Sequence, residues 1–314
     1  MELTVVMYHY VRDLARSRYP QIKGLRTSEF REQLEHLRRN YTVVRMEDVA
    51  AALVSGEKLP PRAALLTFDD GYIDHYVTAF PILMEYGFQG SFFPPAGPVV
   101  RGELLDVNRI HFILASMRDP TALIATIDDF VREHQQAHGL DSPADYWVKW
   151  GQANRFDTAE VIYIKRMLQV ALPRELRNRL ARQLFAQVVS VDEAAFAQEL
   201  YVTVEQLRVM QQCGMCIGCH GDAHEWLNSL ERAEQERDID AALSFLRSVG
   251  TPVDNLWTIA YPYGGWNDSL LDVLTARGCR IGFTTEAVVA RVGEHRPLCL
   301  PRLDTNDLPP RGNH

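Results

Sequence analysis

Two carboxylates stand side by side in Thr67-Phe68-Asp69-Asp70-Gly71-Tyr72, directly after the apolar run 63–68. Adjacent carboxylates repel, which raises one pKa unless a cation intervenes. The C-terminal end of a strand faces the active site in barrels and open α/β sheets. The pair therefore suits one metal ligand and one general base. A second group, His220-Gly221-Asp222-Ala223-His224, follows the strand pattern 215–219. Two histidines four apart converge on one cation if the segment makes a turn of helix. With one carboxylate they give a three-ligand site that leaves positions for water and substrate.

Three further segments could serve the same chemistry. Ala260-Tyr261-Pro262-Tyr263-Gly264-Gly265-Trp266-Asn267 follows a third strand pattern. A proline-aromatic-glycine turn can aim a backbone N–H into a cleft as an oxyanion donor, and its aromatic rings could stack on a sugar. Leu300-Pro301-Arg302-Leu303-Asp304 offers an arginine. Beside a buried carboxylate it would keep that group ionised and oriented. Tyr8-His9-Tyr10-Val11 ends the first strand pattern, so His9 would face the same mouth as the aspartates. Cys216-Ile217-Gly218-Cys219-His220 fits c-type haem attachment, and Cys213 adds a third evenly spaced cysteine suggestive of an iron–sulfur cluster. Two of these cysteines fall inside an apolar strand pattern, where small buried thiols are common, which argues against both readings.

The elements that would carry these groups alternate. Strand patterns at 3–7, 41–44, 63–68 and 90–93 are separated by helical spacing from Phe30 through Leu37, at 47–53 and at 76–86. The rhythm returns with helical patterns at 204–213, 231–249 and 269–277 and strands at 215–219, 256–260 and 281–284. That is the pattern of βα units around a parallel sheet or barrel. Residues 101–200 differ: they are helix-rich and poor in strand signals, and they read as a helical insertion in one catalytic domain spanning 1–314.

Composition bounds the partners. The 314 residues carry 33 Lys+Arg against 41 Asp+Glu, a formal charge of −8, and 46% are hydrophobic. This is an ordinary globular composition, and the acidic balance speaks against nucleic acid. No apolar stretch approaches the ~20 residues that a bilayer core requires. The first residues lack the pattern of a secretory signal, so a cytoplasmic location is expected. Five cysteines, an odd number, suit free thiols.

Taken together, the Asp and His motifs resemble the polysaccharide deacetylase (NodB-like) family over roughly residues 1–100 and 201–308. The resemblance implies a distorted (β/α) barrel, one divalent cation, usually zinc, and hydrolytic removal of an acetyl group from a carbohydrate. It implies Asp69 as general base, Asp70, His220 and His224 as metal ligands, and the Tyr263 N–H as oxyanion donor. The chain departs from the family at two places. The arginine ahead of the Pro-Tyr turn is absent, and Arg302 is a candidate replacement from elsewhere. The C-terminal Leu-x-His that supplies the acid is also absent. The poly-N-acetylglucosamine deacetylase branch looks circularly rearranged and opens with a Tyr-His segment, which Tyr8-His9-Tyr10-Val11 resembles. His9 is then the general acid, with His295 as fallback.

The expected function is metal-dependent deacetylation of an N-acetylated sugar belonging to a surface polysaccharide or lipopolysaccharide O-antigen, or to its precursor. Hydrolysis of another small N-acyl group and a non-catalytic carbohydrate-binding role are the alternatives. The insertion is expected to wall or cover the substrate, with Asp106, Asn108, Arg109 and His111 close enough to touch it, and to be a candidate homo-oligomer interface.

Overall fold

The computed structural model describes residues 1–154 and 157–314. It divides into two compact units: residues 1–13, 24–103 and 197–314 form one, and residues 14–23 with 104–196 form the other. The helical unit thus includes a short early segment, 14–23, that carries no helical pattern of its own length.

The first unit is built on β1 (Glu2–Tyr8), β2 (Val11–Arg12), β3 (Leu25–Arg26), β4 (Thr42–Val43), β5 (Ala63–Asp69) and β6 (Gly90–Phe93). It continues with β7 (Cys216–Ile217), β8 (Thr258–Ala260), β9 (Ile281–Phe283), β10 (Ala290–Arg291) and β11 (Leu303–Asp304). All seven residues of β5 are buried. Their unbroken apolar run follows from parallel neighbours on both sides and layers on both faces. β1 pairs with β5 from Leu3↔Ala63 to Tyr8↔Phe68, and β6 pairs with β5 from Leu66↔Gly90 to Asp69↔Phe93. β7 follows β6 in parallel. A single bridge, Cys219↔Ile259, then leads to the β8–β9 pair, and another, Phe283↔Leu300, leads on to β11. β11 returns to β1 through Val6↔Leu303. The strands therefore close into a parallel ring, a barrel distorted because single bridges carry parts of its circumference. The two-residue strands explain why the apolar runs in the sequence outlast the hydrogen-bonded ladders.

Amphipathic helices cover this ring. Phe30, Leu34 and Leu37 of α1 (Thr27–Asn40) share one core cluster with Val6, Leu66 and Phe92, and with Ile239 and Leu246 of the long helix 232–249. α2 (Met46–Val54) buries Met46 and Val49 against a second cluster with Leu3 and Leu65. α3 (Phe80–Tyr86) is preceded by a π-helical turn over His75–Ala79 and stops at Gly87 in the left-handed conformation. α4 (Ala96–Arg101) follows β6.

The second unit contains α5 (Asp106–Ser116), α6 (Pro120–His138), α7 (Pro143–Trp150), α8 (Ala159–Arg166) and α9 (Arg174–Val188). α10 (Glu193–Leu200) runs from this unit into the first. The Phe112 and Phe196 rings meet edge to face at 4.7 Å, and Tyr19 packs edge-on to both. The chain then returns to the barrel through α11 (Val204–Gln212), α12 (Arg232–Val249) and α13 (Asp268–Ala276). No helix among the described residues is long and apolar enough to cross a membrane.

Candidate active site

Asp69 is the last residue of β5, and Asp70 begins the turn beyond it. The turn requires φ 73° at Asp70 and φ 64° at Gly71. A Cβ on Gly71 would lie 2.6 Å from that of Pro94, so glycine is required there for space as well as conformation. The Asp70 N–H donates to the Phe93 carbonyl at 3.1 Å, which ties the turn to the end of β6.

Asp70 faces both histidines. Its Oδ1 lies 3.2 Å from His220 Nε2 and 3.1 Å from His224 Nε2. Its Oδ2 accepts a 2.6 Å hydrogen bond from the Tyr72 hydroxyl. His220 places Nδ1 2.7 Å from the Ala260 carbonyl. A carbonyl only accepts, so this nitrogen carries the proton and Nε2 is left with its lone pair. Asp70, His220 and His224 are all buried, and they are the only described group whose ligand atoms converge closely enough to hold a metal.

The donor set fits a divalent cation. Asp70 Oδ1 is buried without a hydrogen-bond partner although two imidazole nitrogens point at it. Two nitrogens and one carboxylate oxygen are the ligand types that borderline cations such as zinc accept, with sites left open. Burial drives the Asp70 carboxyl up, but the facing histidines outweigh it and hold the group well below the usual carboxylate range. Asp70→Ala is expected to lower metal content by at least tenfold while the fold persists, as read by metal analysis and circular dichroism.

The His220–His224 segment is a bent loop and not the turn of helix that its spacing suggested; its convergence comes from φ 70° at Gly221 and φ 54° at His224. The loop is clamped from two sides. Asp238 on α12 accepts from the Asp222 and Ala223 amides at 2.9 and 3.2 Å. The Ala96 and Gly97 amides at the start of α4 donate to the Gly221 and Asp222 carbonyls at 3.0 and 2.9 Å. A Cβ on Gly221 would meet Asp238 Oδ1 at 2.8 Å, so Gly221 lets the carboxylate approach. Among the described residues, five non-glycines have positive φ, and Asp70, His224 and Tyr263 are three of them. Each such conformation costs about 1–3 kcal/mol, and strain of this kind gathers at functional sites.

Arg302 completes the first unit's polar centre. It is fully buried, and its guanidinium grips Asp69 with Nη1 to Oδ1 at 2.8 Å and Nη2 to Oδ2 at 2.7 Å. Nε donates to the Thr284 carbonyl at 2.9 Å, and Nη1 also reaches Thr67 Oγ1 at 3.2 Å. Burial pushes Asp69 up, while Arg302 and His220 pull it down further, so the carboxyl lies below its ordinary value of 3.8.

His9 lies one residue beyond β1, half-buried. Its imidazole bears electrostatically on both Asp69 and Asp70. His295 sits elsewhere: Val292 N–H donates to the Met1 carbonyl, and Glu2 pairs with Arg291. That places His295 beside the start of β1, and a seven-residue strand of about 23 Å separates this end from the aspartates. The structure therefore removes His295 as an acid. The Tyr263 turn has φ 57°, and its ring stands 4.7 Å from that of His224 and stacks on Trp226 at 4.6 Å.

Arg109 and His111 belong to the helical unit. Arg109 is buried, with its guanidinium bonded bidentately to Glu193 at 3.0 and 2.9 Å and also to Asp106. The structure thus gives this guanidinium two carboxylate partners inside the helical unit. His111 lines a cavity of about 310 Å³ within that unit, together with Lys23, Asp157 and Lys165. Among the described residues, Cys213, Cys216 and Cys219 do not converge as a metal-ligating group. Burial pushes the Cys216 and Cys219 thiols up to about 12, and His220 faces Asp70. Sequence reasoning gave no role to Tyr72 or Asp238. Tyr72 lay inside the quoted motif, whereas Asp238 has no local signal.

The family model described as polysaccharide deacetylase matches residues 184–282, a span that holds both histidines and the Tyr263 turn. Over that span the chain is similar to polysaccharide deacetylases. It is 37% identical over 90 residues to the poly-beta-1,6-N-acetyl-D-glucosamine N-deacetylase of Escherichia coli K12, which covers 28% of this chain and 13% of that protein. The chain spans less than half the length of the curated relatives it matches. Among solved structures, the Streptococcus pyogenes deacetylase PplD superposes with a TM-score of 0.60 at 18% identity, covering 99% of this chain and 95% of that one. IcaB from Ammonifex degensii gives 0.54 at 20% identity, covering 96% and 91%. These two likenesses establish the deacetylase fold, the distorted barrel of this family.

Proposed function

We propose that the protein is a metal-dependent hydrolase that removes the acetyl group from an N-acetylated sugar. One observation carries the reading: a carboxylate held ionised by a buried arginine stands next in sequence to the carboxylate of a three-ligand metal cluster. A bound divalent cation would supply Lewis-acid polarisation of the acyl oxygen and a lowered pKa for water. Asp69 takes the proton from the attacking water as the new C–O bond forms. Arg302 engages both of its oxygens and fixes the direction of the lone pairs that remain. The Tyr263 turn is assigned to the acyl oxygen as it gains negative charge. His9 gives its proton to the sugar nitrogen as the C–N bond breaks, leaving acetate and an amine. The Tyr263–Trp226 stack beside His224 supports a sugar as the group that carries the amide, because flat amphipathic rings suit its apolar face.

The finer reading is that zinc is the cation, from the two-histidine, one-carboxylate set. It further places the sugar in a surface polysaccharide or lipopolysaccharide O-antigen, or in its precursor. The relative from Escherichia coli is named for a polymer of N-acetylglucosamine, and this supports a glucosaminyl unit as first substrate to test. The protein should release acetate from N-acetylglucosamine oligomers, lose this activity with a chelator and regain it with zinc. Absence of acetate release from the zinc-loaded protein with any N-acetylated sugar would end the proposal. His9→Ala is expected to lower kcat by about 10²-fold or more with metal content unchanged.

A further inference from the structure

We infer that His75 is a positioning residue for His9, an assignment that rests on the proposed role of His9 as general acid. His75 lies in the π-helical turn before α3 and is 1% exposed. Its Nε2 is 2.9 Å from the His9 carbonyl oxygen. A carbonyl cannot donate, so Nε2 carries the proton and His75 donates. The other ring nitrogen, Nδ1, is buried with no hydrogen-bond partner. A phenylalanine would fill this site without stranding a nitrogen. The histidine therefore contributes one thing an apolar ring would not, the bond to the His9 backbone.

The surroundings make that bond directional. The His75 ring is held by Phe68, Tyr72 and Phe92, with centroids 5.6, 5.7 and 5.6 Å away. The residues on either side of His9 are fixed by the same segment of chain: Tyr8 stacks on Phe68 at 4.8 Å and Tyr10 on Tyr72 at 3.9 Å. Phe68, Tyr72 and His75 thus bracket His9 at three successive residues. The same stretch of chain carries Asp69 and Asp70. Acid, base and metal ligand are consequently referred to one another through one short segment. Tyr8 and Tyr10 set the path of the chain, and the His75 bond sets the tilt of the His9 peptide, from which the imidazole hangs. A displacement near 1 Å in such a group costs about 10²-fold in rate.

The test compares His75→Phe with wild type on two substrates. One is an N-acetylglucosamine oligomer, whose amine must be protonated to leave. The other is p-nitrophenyl acetate, whose phenolate leaves without a proton. The expected result is a kcat lower by about 10–100-fold on the oligomer. KM should stay within about twofold, with metal content and the ester rate unchanged. In a His9→Ala background the substitution should add no further loss. His75→Gln, whose amide reaches a similar distance, should restore most of the rate, and His75→Asn, one methylene shorter, should not. The Gln and Asn pair carries the test if the Phe variant does not fold. Equal rates for Gln and Asn, an unaltered oligomer rate in His75→Phe, or a matching loss on the ester each overturn the inference. His9→Ala with wild-type kcat overturns the general-acid assignment and this inference with it. His9→Ala impaired beside an unimpaired His75→Phe overturns this inference alone.

Discussion

Asp69→Asn is expected to leave metal content intact and to lower kcat by about 10³-fold, within the range by which a positioned general base accelerates proton transfer. The amide keeps the shape of the carboxylate and can accept from Arg302, but it cannot take a proton from water. Metal retention is expected because the three convergent ligand atoms belong to Asp70, His220 and His224. Asp69 sits below 3.8 because the effect of Arg302 and His220 exceeds that of burial. Asp69 is therefore ionised throughout the neutral range, as the proposed base must be. Metal analysis with kinetics on an N-acetylated sugar decides the matter; near-normal kcat in Asp69→Asn would show that another group is the base.

Arg302→Met is the second large effect, and it reaches stability as well as rate. The guanidinium makes two bonds to Asp69, one to Thr67 and one to the Thr284 carbonyl, all in a fully buried setting. Removing one member of a buried ion pair strands the other and costs about 3–5 kcal/mol. Methionine fills the space and satisfies none of the four acceptors. Freed of the guanidinium, Asp69 feels burial without compensation, and its carboxyl rises. The expected outcome is a lower urea midpoint together with loss of activity. Arg302→Lys should recover part of the stability through charge alone and little of the rate, since a single ammonium cannot bond both oxygens side by side. A Met variant as stable and as active as wild type would show that Asp69 needs no counter-charge.

What the sequence disclosed and what it concealed divide by range. The Asp and His motifs were legible because ligands one or four residues apart, each behind an apolar strand, are a local pattern. The alternation of elements disclosed the barrel class, although ladders of two residues made the strands look longer than they are. The partner of Asp69 is a different kind of fact. The sequence offered Arg302 as a candidate counter-charge, but Asp69 stands 233 residues away and nothing local marks it as the carboxylate that Arg302 grips. The bond from His75 to His9 spans 66 residues and leaves no periodic trace. The partners of Arg109 show the same limit of range. It lies in a helix start near the end of β6, yet its charge is spent on Glu193, 84 residues on. The loop geometry at His224 was also hidden, because left-handed backbone at a histidine has no signature in residue type.

The Arg302–Asp69 pair has a consequence for the order of events during folding. β11 is the strand that returns to β1, and it follows Arg302 directly. Asp69 consequently acquires its counter-charge only when the last part of the ring has docked. Contacts between segments this remote in sequence form late and slowly. An incompletely assembled barrel could already present Asp70 near its histidines and gather a cation, but its Asp69 would face burial alone. On the proposed function, closure of the ring at β11 is thus what supplies the base with its counter-charge.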